Sequence, residues 1–142
     1  MIAVDTNVLV YASRTETEFH EPAVRLITQL AESDSPWAIP WSCVYEYLHV
    51  VTHPRLFKPP STQAEAIGRL NMLSHSPSLA FIGPGPSHFA SLVGLAEQSG
   101  AKGNLFFDVQ IAAICREHGI TELLTMDRDF SRFSGIKVRR PF

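Results

Sequence analysis

The chain has little of what several functional classes require. Its two cysteines, Cys43 and Cys115, are too few and too isolated for a disulfide framework or a zinc knuckle. They read as buried thiols in a reducing cytosol. No basic stretch precedes an apolar one at the N-terminus, so no secretory signal is expected and the location implied is cytoplasmic. Residues 70 to 96 carry no formal charge, but Pro77, Gly83, Pro84, Gly85 and Pro86 interrupt them, which excludes a membrane span there. Positive charge is not in excess either: 12 Lys and Arg stand against 14 Asp and Glu, a formal net charge of −2. Bulk electrostatics therefore gives no attraction for a nucleic acid. A polyanionic substrate would have to be met by locally concentrated cations or by a metal. The small cluster Lys137, Arg139 and Arg140 reads by itself as a solvated tail.

What is present fits one folded domain, residues 1–142, with 45% hydrophobic and 18% charged residues. There is no repeat, low-complexity tract or linker. The apolar IAV before Asp5 predicts a short buried strand, and Asp5-Thr6-Asn7 supplies cap chemistry for a helix over Val8 to Arg14. A second helix is expected over Glu21 to Glu32, with Pro22 in its first turn. Trp37 to Pro40 predicts a second strand. Ser42 is expected to cap a helix running to Thr52, stopped by His53-Pro54. Thr62 and Glu65 form a capping box for a helix through Leu73. Leu79 to Ile82 predicts a third strand. Helices follow over Ser87 to Ser99 and Leu105 to His118, ended by Gly100 and Gly119. Glu122 to Thr125 predicts a fourth strand, Asp127 to Phe133 a helical turn, and Ile136 to Arg139 a last strand. Strands alternating with helices imply an α/β sandwich with a mostly parallel sheet.

Four carboxylates interrupt otherwise apolar segments. Asp5 is the only charge in MIAVDTNVLVYAS, Glu46 in WAIPWSCVYEYLHVV, and Asp108 in GNLFFDVQIAAIC; Asp127 follows ELLTM. Segments this apolar are expected to be buried, and an ionised carboxylate out of water is costly unless compensated. Asp5 and Asp127 each follow a strand, which places both at the C-terminal edge of a parallel sheet, where such sheets bind ligands. From Asp108 to His118 a helix descends about 15 Å, and the strand to Asp127 climbs back about 17 Å. Asp108 should therefore lie level with Asp127, and Glu46, one turn into the helix after the second strand, lies near the same edge. Like charges so gathered call for a shared cation, and an all-oxygen shell suits Mg²⁺ or Mn²⁺. Such a centre points to metal-dependent hydrolysis of a phosphodiester. Asn7 and Thr125 are placed to orient the carboxylates. Arg55, Arg116 and Arg128 are candidates for phosphate contacts. Each acid taken alone also has a plainer reading: Asp5 and Asp127 as caps, Glu46 as an exposed helix position.

The residues resemble a known family, the PIN-domain ribonucleases, and among them the VapC-type toxins of prokaryotic toxin–antitoxin pairs. MIAVDTNVLVYA resembles that family's strand ending in D-T-N. VYEYLHVVTHPR is similar to its glutamate-bearing helix, and GNLFFDVQIAAICREHGITELLTMDRDFSRF to its aspartate helix followed by a T-x-D-x-D-F turn. The resemblance implies a PIN-like three-layer sandwich, helices on both faces of a mostly parallel sheet. It implies a Mg²⁺- or Mn²⁺-dependent endoribonuclease with Asp5, Glu46, Asp108 and Asp127 as its acidic site, Asp129 replacing or assisting Asp127. It also implies a homodimer neutralised by a small cognate VapB-type antitoxin. Asn104 stands where some relatives carry a further acid.

Three other readings compete. A phosphoaspartyl phosphatase needs a second Asp two residues after the first, where this chain has Asn7. A zinc hydrolase could use His49 and His53, four apart, but Val50 stands where H-E-x-x-H requires Glu. A non-catalytic RNA-binding or interaction module on the same fold would dispense with some of the acids.

Overall fold

The computed structural model describes residues 1–142. Five short strands, β1 (Ile2–Val4), β2 (Trp37–Pro40), β3 (Leu79–Ile82), β4 (Glu122–Leu124) and β5 (Lys137–Arg139), form one sheet in the order β3-β2-β1-β4-β5. Every pairing is parallel. All four residues of β2 are buried, as are the last two of β1 and β4. Side chains alternate between the two faces of a strand, so a fully buried strand requires protein on both sides. Six helices supply it: α1 (Thr6–Ser13), α2 (His20–Glu32), α3 (Trp41–Val51), α4 (Gln63–Ser74), α5 (His88–Ser99) and α6 (Leu105–Glu117). Helix α1 packs on α2 and α3, α3 on α4 and α6, and α5 on α6. The parallel sheet is the one that the alternation of strands and helices predicts, and the three layers are those that the resemblance implies.

Local chemistry accounts for most of the element ends. Asp5 caps α1 by accepting the Thr6 amide, which starts the helix at Thr6, two residues before the expected Val8. The expected capping box closes α4: Thr62 Oγ1 accepts the Glu65 amide and Glu65 accepts the Thr62 amide. Gly100 and Gly119 take the left-handed conformation, φ 65° and 67°, that ends a helix without a Cβ clash. One expected cap is corrected. Ser42 does not cap α3; Pro40 holds that position and the helix starts at Trp41. Pro40 closes β2 in extended conformation, φ −62° and ψ 139°, so strand passes into helix with no intervening loop.

The core is continuous through both faces of the sheet. Trp37, Ile39, Tyr47, Ile114, Leu123, Leu124 and Phe130 are among its largest side chains. Each such side chain contributes about 1.5–3 kcal/mol by leaving water. Helix α6 carries most of the burial on its face: Val109 and Ile111 through Cys115 are all buried. Asp108 sits immediately before that run, at the open end of the helix.

Candidate metal centre

Register positions the acids. Val4 pairs with Leu124, and the Asp5 amide continues the ladder by donating to the Leu124 carbonyl at 3.0 Å. Asp5 and Thr125 are therefore neighbours just past the C-terminal ends of β1 and β4. Thr125 Oγ1 donates to Asp5 Oδ2 at 2.6 Å. Asn7 Nδ2 bonds both Asp5 Oδ2 and Thr125 Oγ1 at 3.1 Å, while Asn7 Oδ1 accepts the Met126 amide at 3.2 Å. Thr125 Oγ1 also accepts the Asp127 amide at 2.9 Å. Asn7 and Thr125 thus tie the start of α1 to the turn carrying Asp127. That turn is a short 3₁₀ helix, Arg128–Arg132, capped by Asp127 through the Asp129 amide at 2.8 Å.

Asp5, Glu46, Asp108 and Asp127 line one cavity of about 250 Å³ with Thr6 and Asn7, and no cationic side chain reaches it. A second, outer cavity of about 510 Å³ shares Glu46, Asp108 and Asp127 and adds Asn104, Asp129 and Arg132. One oxygen from each of Asp108, Asp127 and Asp129 lies within 4.8 Å of the others. Asp127 faces both cavities and Asp129 only the outer one, so the two acids of the DRDF turn take unequal positions. Asn104, at the head of α6, adds an uncharged wall to the outer cavity.

Burial is less uniform than the apolar flanks predict. Asp5 is buried, Asp108 and Asp127 are half-buried, and Glu46 and Asp129 are exposed. An acid isolated in apolar sequence can stand on the one open face of an element whose other faces are covered, and Glu46 does so on α3. Burial pushes the Asp5 carboxyl above its ordinary value, against the bonds from Thr125 and Thr6, with the charge of Glu46 adding to the rise. Asp108 is pushed up from 3.8 to about 7, first by burial, then by the charges of Asp127, Asp5, Asp129 and Glu46. Groups that raise one another in this way are short of positive charge, and all the donors on offer are oxygens. The set fits a hard divalent cation. The buried thiols do not compete for it. Burial raises Cys43 well above its ordinary value and Cys115 to about 12, so both stay protonated.

Thr6 and Arg132 belong to the site and were not singled out from sequence. Thr6 Oγ1 donates to Glu46 Oε2 at 2.8 Å, linking α1 to α3. Its place directly after Asp5 was the available signal. Arg132 lines the outer cavity and lies 3.7 Å from Asp129. Of the three arginines proposed from sequence for phosphate contacts, none lines either cavity. Arg116 is eight residues beyond Asp108 on α6, about 12 Å along the axis, and packs beside Gly135. Arg55 and Arg128 are exposed. His49 and His53 meet edge to face at 5.3 Å, and His53 Nδ1 accepts the Arg55 amide. The pair gathers no third ligand.

A parallel α/β sheet with an acidic cavity at its C-terminal edge is the class of protein this geometry defines. The chain belongs to the PIN domain family, whose match spans residues 2–136. The curated relatives that it matches include VapC ribonucleases of mycobacteria. It is 34% identical over 141 residues to Ribonuclease VapC43 of Mycobacterium tuberculosis, covering 99% of this chain and 95% of that one. To Ribonuclease VapC48 of the same organism it is 30% identical over 138 residues, covering 97% and 95%. In fold it matches the crystal structure of Mycobacterium tuberculosis VapC20, a sarcin-ricin loop cleaving toxin, with a TM-score of 0.69 at 17% identity over 99% of this chain and 100% of that one. It also matches VapBC2 from Rickettsia felis bound to a promoter DNA fragment, TM-score 0.69 at 20% identity over 98% of each chain.

Proposed function

We propose that the chain is an endoribonuclease that hydrolyses RNA phosphodiesters with Mg²⁺ or Mn²⁺, and that it is the toxin of a VapBC-type pair. The single observation that carries the reading is the convergence of Asp5, Glu46, Asp108 and Asp127 on one cavity without a cationic side chain. Its relatives over nearly the whole chain are named VapC ribonucleases, which supports the RNA substrate. The reading takes residues 1–142 as one PIN domain, cytoplasmic, forming a homodimer and neutralised by a small VapB-type antitoxin. No helix is long and apolar enough to cross a membrane.

In this reading Asp5, Glu46, Asp108 and Asp127 hold the cation, and Asp129 assists from the outer cavity. A divalent cation held there supplies a Lewis acid for the phosphodiester and lowers the pKa of the attacking water. The protein's own residues do the rest. Thr125, Asn7 and the Thr6 amide fix the Asp5 carboxylate, so that it need not reorganise during reaction. The Thr6 hydroxyl holds Glu46 by Oε2 and leaves Oε1 without a hydrogen-bond partner in the protein. Burial and like-charged neighbours push the Asp108 carboxyl up to about 7, so a bound cation would change its charge state. Arg132 stands where a phosphate over the outer cavity would meet a positive charge.

The test is cleavage of single-stranded RNA by the purified chain. Cleavage is expected with Mn²⁺, absent in EDTA, restored on returning Mn²⁺, and absent throughout in Asp108→Asn. RNA binding without any EDTA-sensitive cleavage would instead favour a non-catalytic RNA-binding module.

A further inference from the structure

We propose that the cavity beside the acids, walled by Tyr45 and Phe107, holds an unpaired nucleobase flanking the scissile phosphodiester and so helps to select the cleavage site. The inference rests on the ribonuclease reading above and adds to it a place for the base. The cavity, about 510 Å³, lies between α3 and α6 and is lined by Ser42, Tyr45, Glu46, His49, Phe107 and Gln110. That volume is within the range, roughly 300–1,000 Å³, of sites that take small ligands. It shares Glu46 with the inner acid cavity, and both Glu46 and Phe107 with the outer one. A phosphodiester over the acids therefore has this space directly beside it.

The two rings are placed by helix geometry. Tyr45 precedes Glu46 on α3, and Phe107 precedes Asp108 on α6. Successive helical residues point roughly 100° apart, so each aromatic stands beside its acid, not over it. Both rings are open to solvent, 67% and 66% exposed, whereas Phe130 and Phe133 of the neighbouring turn are buried. Tyr45 is also the outer member of a row of rings. Phe81, half-buried at β3, stacks on Trp41 at 5.0 Å, and Trp41 lies 6.1 Å from Tyr45, with interplanar angles of 30° and 31°. A platform already held in this way loses little freedom when a further ring settles on it. Aromatic side chains that stack unpaired bases are the common device for single-stranded RNA.

The polar groups suit a base edge. Gln110 Nε2 donates to Ser42 Oγ at 3.2 Å. That bond leaves the Gln110 carbonyl oxygen, its second amide hydrogen and the Ser42 hydroxyl hydrogen to face a ligand. Two rings with a donor and an acceptor in the same lining match a flat heteroaromatic edge better than an aliphatic protein surface, which would leave these groups unpaired.

The experiment uses short single-stranded oligoribonucleotides carrying 2-aminopurine at successive positions, bound to Asp108→Asn full-length protein, together with mapping of cleaved 5′ ends by Mn²⁺-loaded proteins that retain Asp108. Quenching is expected at one position next to the cleaved bond. Tyr45→Ala and Phe107→Ala should abolish the quenching and weaken binding roughly tenfold, the scale of one base–aromatic stack. Tyr45→Phe should restore both. Gln110→Leu should keep the quenching and change the base found beside the cut. Unchanged affinity and an unchanged cleavage pattern in both alanine variants would overturn the inference while leaving the ribonuclease reading intact. A dimer that falls to monomer in both alanine variants, by sedimentation, would also overturn it and make this face a contact between copies. Wild type that cleaves no RNA would end both readings together.

Discussion

The two sides of the acid cavity are built on opposite principles. On the β1 side, Asp5 is buried and meets four donors: the Thr6 amide, Asn7, Thr125 and, more weakly at 3.5 Å, the Cys43 thiol. On the α6 side, Asp108 makes no side-chain hydrogen bond, and Asp127 and Asp129 crowd it with like charge. One side is a finished hydrogen-bonded scaffold that fixes its carboxyl group in position. The other is complete only when something positive arrives. Stability is therefore stored mainly on the β1 side and activity on the α6 side. Changes on the β1 side should harm the fold as well as the reaction, and changes on the α6 side should harm the reaction while relieving the fold.

The largest effect is expected at Asp5. Asp5→Ala strips Thr125, Asn7 and the Thr6 amide of their common acceptor in a buried place, where each unsatisfied group costs about 1–3 kcal/mol. A loss of roughly 3 kcal/mol in chemical denaturation, together with loss of cleavage, is the expected outcome. A variant as stable as wild type would erase the contrast.

Asp108→Asn comes next, with the opposite sign on stability. Cleavage should fall by at least about a hundredfold, or roughly 3 kcal/mol of barrier. The metal-free protein should become more stable, in a pH-dependent way. The Asp108 carboxyl binds its proton more tightly folded than unfolded, about 7 against 3.8. Between those values the folded state carries the extra proton, so wild-type stability falls as pH rises from about 4 to about 7 and then levels. Melting temperatures of wild type and Asp108→Asn in EDTA should therefore coincide near pH 4 and diverge fully by pH 8, with the variant higher. Equal divergence at both pH values would place the repulsion elsewhere.

Arg132→Ala should have the smallest effect. Its ion pair with Asp129 is exposed, 59% and 53% for the two side chains, so stability should change by less than about 1 kcal/mol. KM for RNA should rise several-fold and lose part of its dependence on salt, with kcat little changed. The same change at Arg116, which packs beside Gly135 away from both cavities, should leave KM alone.

The order of elements was legible because their ends are chemically marked: Asp5 as a cap, the Thr62–Glu65 box, and glycines at 100 and 119 that alone tolerate a positive φ. The level of Asp108 relative to Asp127 followed from helix rise and strand rise. Other features were not legible, for physical reasons. The exposure of Glu46 depends on which face of α3 the layers leave open, and local hydrophobicity averages that away. Ser42 carries a capping side chain, yet β2 runs straight into α3 and gives the cap position to Pro40, freeing Ser42 for Gln110 across the groove. Arg132 stands beside Asp129 because the 3₁₀ turn brings residues three apart together, but that the turn fronts the outer cavity is set by its packing on α6, which has no local signature. Thr6 was hidden by its neighbour, since a residue next to a capping Asp reads as part of the cap.

The proposed function requires the acids of both sides to share a divalent cation. Calorimetric titration of Mn²⁺ into the metal-free chain at pH 8, followed by melting of the loaded protein, tests it most directly. Wild type should bind with measurable heat and gain stability, about 2.7 kcal/mol at a hundredfold excess over Kd, and Asp108→Asn should lose most of both. No heat and no shift in wild type, or an equal response in the variant, would contradict it.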